Sequence, residues 1–180
     1  MSRASHILSL FEVVKKGKPM LTISELRNFA SQIDKKQGEP RPVSIISTNP
    51  ILANKTLTIK AEARGTKVYT LVMVFYNVDY DLTGDAEHPL RVRPKFGEPF
   101  FMKPASESIN PVQVRCSCPF FRFAWSYWDK QEKALSGPAF AAYIRKTTTR
   151  PEVNSQHLPG ICKHLIGLAA RLGKDKILTP

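Results

Sequence analysis

The chain has 180 residues, of which 42% are hydrophobic, and contains 14 prolines and three cysteines. This length and composition predict one ordinary globular domain, or a core domain with an appendage, and exclude a disulfide-stapled miniprotein or a chain disordered throughout. The net charge of +12 at pH 7 favours polyanionic partners such as nucleic acid, anionic lipid or an acidic protein surface. A basic surface without a dedicated partner is the other interpretation of the same charge.

We expect neither a transmembrane helix nor a secretory signal peptide. The longest strongly apolar run, residues 71–76, is far shorter than the ~20 residues that span a bilayer. The apolar stretch at 7–11 is too short for a signal sequence. Since three cysteines cannot all pair within one chain, the sequence predicts synthesis in a reducing cytoplasm.

Residues 1–50 predict an N-terminal helical region with two helices. The first covers residues 5–16, where apolar side chains recur at helical spacing. The second begins at Thr22, which forms a capping-box pattern with Glu25. Apolar residues then recur at helical spacing over residues 23–33, before a glycine and a proline end the element.

Residues 51–110 predict a β-hairpin followed by a proline-rich loop. Apolar and polar residues alternate over 57–63, and β-branched and aromatic residues dominate 68–78 after a short turn. The second strand is apolar on both faces, so we expect both to be covered. The proline-rich stretch 79–111 predicts an extended loop with one strand near Phe100–Met102.

Four acidic residues in this loop form a sparse cluster, but their spacing does not fit a calcium-binding EF-hand. A solvated turn is therefore expected for Asp79, Asp81, Asp85 and Glu87. The histidines His6 and His88 show no partner pattern in the sequence.

Residues 111–180 carry about +7 of the net charge and all three cysteines. Alternation over 112–116 predicts a strand that runs into the first cysteines. An aromatic helix is predicted from about Pro119 to Leu135, because apolar residues recur there at helical spacing. A final helix is predicted from about Gly160 to Leu172.

Every cysteine belongs to one pattern: Cys116-x-Cys118, then 43 residues, then Cys162-x-His164. Three thiolates and one imidazole suit zinc, and four protein ligands leave no open position, so the pattern predicts one structural zinc ion. The alternative is three buried free thiols and a surface histidine. His157, five residues before Cys162, could compete as a ligand.

The order Cys-x-Cys, spacer, Cys-x-His, between a strand and a helix, resembles the SWIM-type zinc finger. The sequence "CSCPFF" resembles its first half and "GICKHLIGLAARL" its second, over about residues 110–172. The resemblance implies that Cys116, Cys118, Cys162 and His164 are the metal ligands. The spacer is longer than in typical SWIM fingers, and this long-spacer arrangement resembles proteins encoded by tailed bacteriophages.

Two further features are candidate binding surfaces. The stretch "YIRKTTTRP" combines hydroxyl groups with Arg145, Lys146 and Arg150, which could bind phosphates, although a solvated loop or an arm that reaches a neighbouring subunit also fits. The aromatic residues over 120–128 suit a core or a protein interface, and stacking on nucleic-acid bases is the other interpretation.

Together these patterns predict an α+β fold with N-terminal helices, a small antiparallel sheet or hairpin, and a zinc-clasped strand–helix–loop–helix unit at 111–180. The three regions are expected to share one composite domain. Because no phosphate-binding loop or nucleophile–base pair is found, we expect a non-enzymatic zinc-binding structural or assembly protein. A bacteriophage virion component with protein neighbours is the leading hypothesis, and a SWIM-type nucleic-acid-binding module is the alternative.

Overall fold

The computed structural model describes residues 20–33, 40–65, 67–141, 149 and 152–180. The first predicted helix, residues 5–16, lies outside the described residues. So do the candidate phosphate-binding residues Arg145, Lys146 and Arg150.

Helices and strands of a mixed α+β fold make up the described chain, as predicted. The helices are α1 (Ile23–Ile33), α2 (Ser126–Gln131) and α3 (Lys163–Lys174), and a π-helical segment (Phe121–Trp125) directly precedes α2. The strands are β1 (Val43–Ile51), β2 (Thr56–Arg64), β3 (Val68–Phe75), β4 (Tyr80–Asp81), β5 (Leu90–Val92), β6 (Phe100–Met102), β7 (Ala105–Ser106), β8 (Val112–Cys116) and β9 (Leu178–Thr179). Within the described ranges, no helix is both long and apolar enough to cross a membrane.

The main sheet has four antiparallel strands in the order β1-β2-β3-β8. The predicted hairpin is its β2–β3 pair. Strand β8 runs along the other side of β3, with Cys116 opposite Leu71 and Val112 opposite Phe75. Because residues directly opposite each other share a face, Cys116 lies on the same face as Leu71.

The core covers one face of this sheet fully, and the second face of the long strand, which we expect to be covered as well, is covered only in part. Leu71 and Phe75 of β3 are buried, whereas Val72 and Val74 between them are only partly so. On that second face the guanidinium of Arg115 donates to the carbonyls of the 136–140 segment and lies 4.0 Å from a phenylalanine ring centroid. The cover there is polar and incomplete.

Strand β1 was not predicted, because the sequence of residues 1–50 is interpreted as a helical region. It is an edge strand, and its pairing with β2 shifts register between Ile45 and Ser47. The shift breaks the two-residue period by which a strand is recognised. Pro50 near its end is tolerated because an edge strand does not use every N–H group.

Helix α1 begins at the predicted capping box. The Thr22 backbone N–H donates to the Glu25 carboxylate at 2.8 Å, and the Glu25 N–H donates to the Thr22 hydroxyl at 3.3 Å. The helix buries Ile23, Leu26 and Ala30. Two of the four N–H groups left over at the helix start are thereby satisfied, and the apolar stripe faces the core.

The proline-rich stretch contains more strand than expected. The predicted β6 is confirmed, and it pairs on either side with β4 and β5 to form a small antiparallel sheet. The Asp81 carboxylate accepts hydrogen bonds from two backbone N–H groups two and three residues ahead. That local pattern is a solvent-facing turn, as predicted for the acidic cluster.

His88, for which the sequence shows no partner, lies between two carboxylates of this turn. Its Nδ1 is 2.8 Å from Asp85 Oδ1, and its Nε2 is 3.4 Å from Asp79 Oδ2. The hydrogen bond with Asp85 raises the pKa of His88 above its usual value of 6.5, and the charges of both carboxylates act in the same direction.

We therefore expect this turn to be stabilised most in mild acid. Because the pKa of His88 is higher in the folded state than in the unfolded chain, the stabilisation is complete below about pH 6.5. It is lost as the pH rises through the folded-state pKa. An NMR titration of the His88 ring should give a midpoint above that of an unfolded histidine, and Asp85→Asn should lower it. A midpoint unaffected by Asp85→Asn would contradict this assignment.

Candidate metal centre

The first half of the centre is formed where β8 ends. Ser117 keeps the chain attached to β3, because its N–H donates to the Thr70 carbonyl at 3.0 Å and its hydroxyl accepts from the Thr70 N–H at 2.9 Å. The chain then turns, and the Cys118 N–H donates to Cys116 Sγ at 3.4 Å. The Phe121 N–H donates to Cys118 Sγ at 3.3 Å. Such N–H donors stabilise negative charge on sulfur.

The second half lies at the start of α3. Cys162 is the N-cap residue, in an extended conformation with φ −85° and ψ 165°, and His164 lies in the first helical turn. This change from extended to helical backbone lets two ligands only two residues apart converge on one point. The His164 ring also packs against Tyr69, with ring centroids 4.9 Å apart, which restricts its rotation.

The four side chains form one compact group. Their ligand atoms, three sulfurs and one histidine nitrogen, all lie within 4.8 Å of one another. His164 Nδ1 is 3.9 Å from both Cys116 Sγ and Cys162 Sγ. A tetrahedral zinc with bonds of about 2.3 Å to sulfur and 2.0–2.1 Å to nitrogen would place these atoms about 3.5–3.8 Å apart. The group therefore needs to contract by a few tenths of an ångström around His164 Nδ1, and by about 1 Å at its widest pair, to hold a metal ion.

Hydrogen bonding within the group concentrates negative charge on one sulfur. Donation from Cys116, and then from Cys162, lowers the pKa of the Cys118 thiol strongly. Its bond to Cys118 raises the pKa of Cys116 to about 12, and burial raises that of Cys162. Metal binding would displace the remaining thiol protons, so binding would weaken in acid.

The four side chains are buried. All three cysteines and His164 have little exposed surface, and together they could supply the four ligands of a tetrahedral metal ion. An ion bound by all four would link chain segments that are distant in sequence.

The competing histidine lies elsewhere. The His157 ring is stacked on Trp128, with centroids 4.4 Å apart and an interplanar angle of 19°. Its Nε2 is 3.5 Å from a Glu152 carboxylate oxygen. His157 is not a member of the four-residue group.

The aromatic helix between the two halves is shorter and less regular than predicted. It changes from π-helical to α-helical and ends at Gln131, and the φ of +59° at Lys133 turns the chain out of the helix. Leu135, which was predicted to end the helix, pairs with Val114 of β8. The helix buries Phe121 and Trp125 on one side and exposes Phe120, Phe123 and Tyr127 on the other.

One residue that the sequence did not single out shapes the site. Asp129, a charged residue on a helix, is completely buried and accepts a hydrogen bond from the Gly160 N–H at 2.8 Å. No local sequence signal marks that burial, since the partner is 31 residues away.

The chain matches no family model, no curated protein and no solved structure.

Proposed function

We propose that this chain is a non-enzymatic protein that binds one structural zinc ion and makes contacts to protein neighbours in a larger assembly. The observation that carries the proposal is the buried Cys3His group, in which Cys116, Cys118, Cys162 and His164 converge. Thiolate and imidazole ligands favour zinc, whereas magnesium and calcium require oxygen ligands. Bound there, zinc would supply four strong bonds and no open coordination position.

The metal would join elements that are distant in sequence. Cys116 ends β8, Cys162 is the N-cap residue of α3, and 43 residues separate Cys118 from Cys162. Bonds at this point would hold the aromatic helix in one position on the sheet. A helix fixed in this way can present a rigid surface to a partner with little loss of entropy on binding.

The outer side of the aromatic helix is the surface we assign to a protein partner. Phe120, Phe123 and Tyr127 follow one another at spacings of three and four, and their exposed fractions are 37%, 49% and 61%. Aromatic residues at positions i, i+3 and i+7 are the arrangement with which a helix binds in an apolar groove. We call these three residues the aromatic stripe.

Charges beside the aromatic stripe define the partner further. The Arg122 guanidinium lies 5.7 Å from the centroid of the Phe123 ring, and Lys130 is exposed on the same helical stretch. Asp129, the acidic residue next to Lys130, is buried. The complementary surface is therefore an apolar protein groove with an acidic rim. A bacteriophage virion is the assembly suggested by the long-spacer arrangement of the ligands.

Nucleic acid is the second candidate partner. The net charge of +12 and the SWIM-like ligand order favour it, and exposed rings beside cations can stack on bases. It is the weaker candidate because the aromatic stripe lies on the outer side of a helix, whereas single-strand binders place such rings in a basic groove.

Binding of labelled duplex and single-stranded DNA to the zinc-loaded protein over a salt series distinguishes the two candidates. The protein-partner proposal predicts binding that is lost as salt approaches physiological concentration, because only surface charge would drive it. It also predicts that the double variant Phe120→Ala/Tyr127→Ala changes DNA binding no more than Phe96→Ala does. Phe96 is the control because its aromatic side chain is 82% exposed. Tight binding at physiological salt that only the stripe variant loses would favour the nucleic-acid module.

A further inference from the structure

The segment that leads to the second pair of ligands runs along the aromatic helix and contacts it at every third residue. Asn154 Nδ2 donates to the Ala124 carbonyl at 2.8 Å. The His157 ring stacks on Trp128, and the Gly160 N–H donates to the Asp129 carboxylate at 2.8 Å. Cys162 follows two residues later, so its position depends on how this segment is held.

The Gly160 contact is the most constrained of the three. A Cβ at this position would lie 2.8 Å from Cε3 of the Trp125 ring, closer than packed atoms allow, so the backbone approaches the ring as only glycine can. The Asp129 side chain that accepts the Gly160 N–H is completely buried, and within the described chain its Oδ2 has no hydrogen-bond partner. Burial raises the pKa of Asp129.

Such a side chain is costly to bury, and the cost indicates a role beyond packing. Among the described residues the carboxylate has one polar contact, and that contact fixes the backbone two residues before a metal ligand. An apolar residue of similar size would fill the space at lower cost, but it would leave the buried Gly160 N–H without an acceptor.

The backbone of Asp129 is also linked, through Ala134, to the strand that carries the first ligand. Its carbonyl accepts hydrogen bonds from the Ala134 N–H at 2.7 Å and the Leu135 N–H at 3.1 Å. The Ala134 carbonyl in turn accepts from the Val114 N–H at 2.7 Å, in the strand that ends at Cys116. One residue is therefore connected to both ligand-bearing segments.

We propose that Asp129 is a positioning residue of the metal centre: its side chain fixes Gly160, and through it Cys162, relative to the strand that carries Cys116. This inference rests on the proposed zinc-binding function. It predicts that zinc affinity depends on the hydrogen-bond acceptor at position 129 itself, and not only on the overall stability of the fold.

The test compares Asp129→Ala, which removes the acceptor, with Asp129→Asn, which retains one. Zinc affinity is measured by competition with a chromophoric chelator, and site geometry by the absorption spectrum of the cobalt-substituted protein. We expect Asp129→Ala to weaken zinc binding about tenfold, as is typical when a supporting hydrogen bond is removed, and to alter the cobalt spectrum. Asp129→Asn should restore both.

Asn110 provides a matched control. It is buried and donates to the Tyr76 and Asn77 carbonyls at 2.9 and 3.1 Å, and none of these residues belongs to the metal centre. Asn110→Ala should lower the melting temperature but leave zinc affinity unchanged. An equal loss of affinity in Asn110→Ala and Asp129→Ala would overturn the positioning role, as would wild-type affinity in a folded Asp129→Ala.

If Asp129→Ala does not fold, hydrogen exchange of the Gly160 amide in Asp129→Asn decides the question. Protection equal to wild type, together with wild-type zinc affinity, is the expected result. Wild-type affinity with an unprotected Gly160 amide would overturn the inference. A wild-type protein that binds no zinc would instead reject the proposed function, so the two failures are distinguishable.

Discussion

Cys162→Ser is expected to abolish stoichiometric zinc binding and to lower the melting temperature by more than about 10 °C. The substitution keeps the size of the side chain but replaces a thiolate ligand with a hydroxyl. Structural zinc contributes roughly 10–16 kcal/mol to the folding of zinc-finger peptides, whereas a whole domain is stable by about 5–15 kcal/mol. Even a partial loss of several kcal/mol would shift the melting temperature this far, at about 2–4 °C per kcal/mol for a chain of this size. Metal analysis and thermal denaturation, each under reducing conditions, provide the measurement.

The control for this prediction is His157→Ala. His157 is the other histidine near Cys162 in sequence, but it is stacked on Trp128 and lies outside the ligand group. This variant should retain its zinc. Chelation should lower the melting temperature of the wild type and of His157→Ala, but scarcely that of Cys162→Ser. Full zinc occupancy in Cys162→Ser would show that Cys162 is not a ligand.

Trp125→Ala is expected to destabilise the protein by about 3–5 kcal/mol, the range for truncation of a large buried aromatic side chain. The ring is completely buried and packs directly on the Gly160 backbone. Its removal would leave a cavity between the aromatic helix and the segment that precedes Cys162. Denaturant titration of the zinc-loaded protein measures the change in the free energy of unfolding.

Tyr127→Ala, two residues further along, is the matched control. Tyr127 belongs to the exposed aromatic stripe, so its truncation should change the free energy of unfolding by no more than about 0.5 kcal/mol. Equal destabilisation by both variants would contradict the placement of Trp125 on the core-facing side of the helix.

Features set by local sequence patterns could be predicted. Helix α1 depends on a capping box and an apolar stripe, and both are visible within a dozen residues. The β2–β3 hairpin depends on alternation around a short turn. The grouping of Cys116, Cys118, Cys162 and His164 could be predicted because every cysteine of the chain belongs to one repeated spacing, and their chemistry suits a shared metal.

Features that depend on residues distant in sequence could not be predicted. Strand β1 carries a register shift that hides its period, and the parallel pair β7–β9 joins segments more than 70 residues apart. The aromatic helix ends early because the residues after it pair with Val114. Asp129 looks like a surface residue until its hydrogen bond to Gly160 is known.

The central claim is that the four-residue group holds one zinc ion. The most direct test is metal analysis of the protein purified under reducing conditions, combined with X-ray absorption at the zinc edge. We predict one zinc per chain, with three sulfur neighbours at about 2.3 Å and one nitrogen at about 2.0–2.1 Å. A folded protein that contains no zinc and binds none when zinc is added would contradict the account.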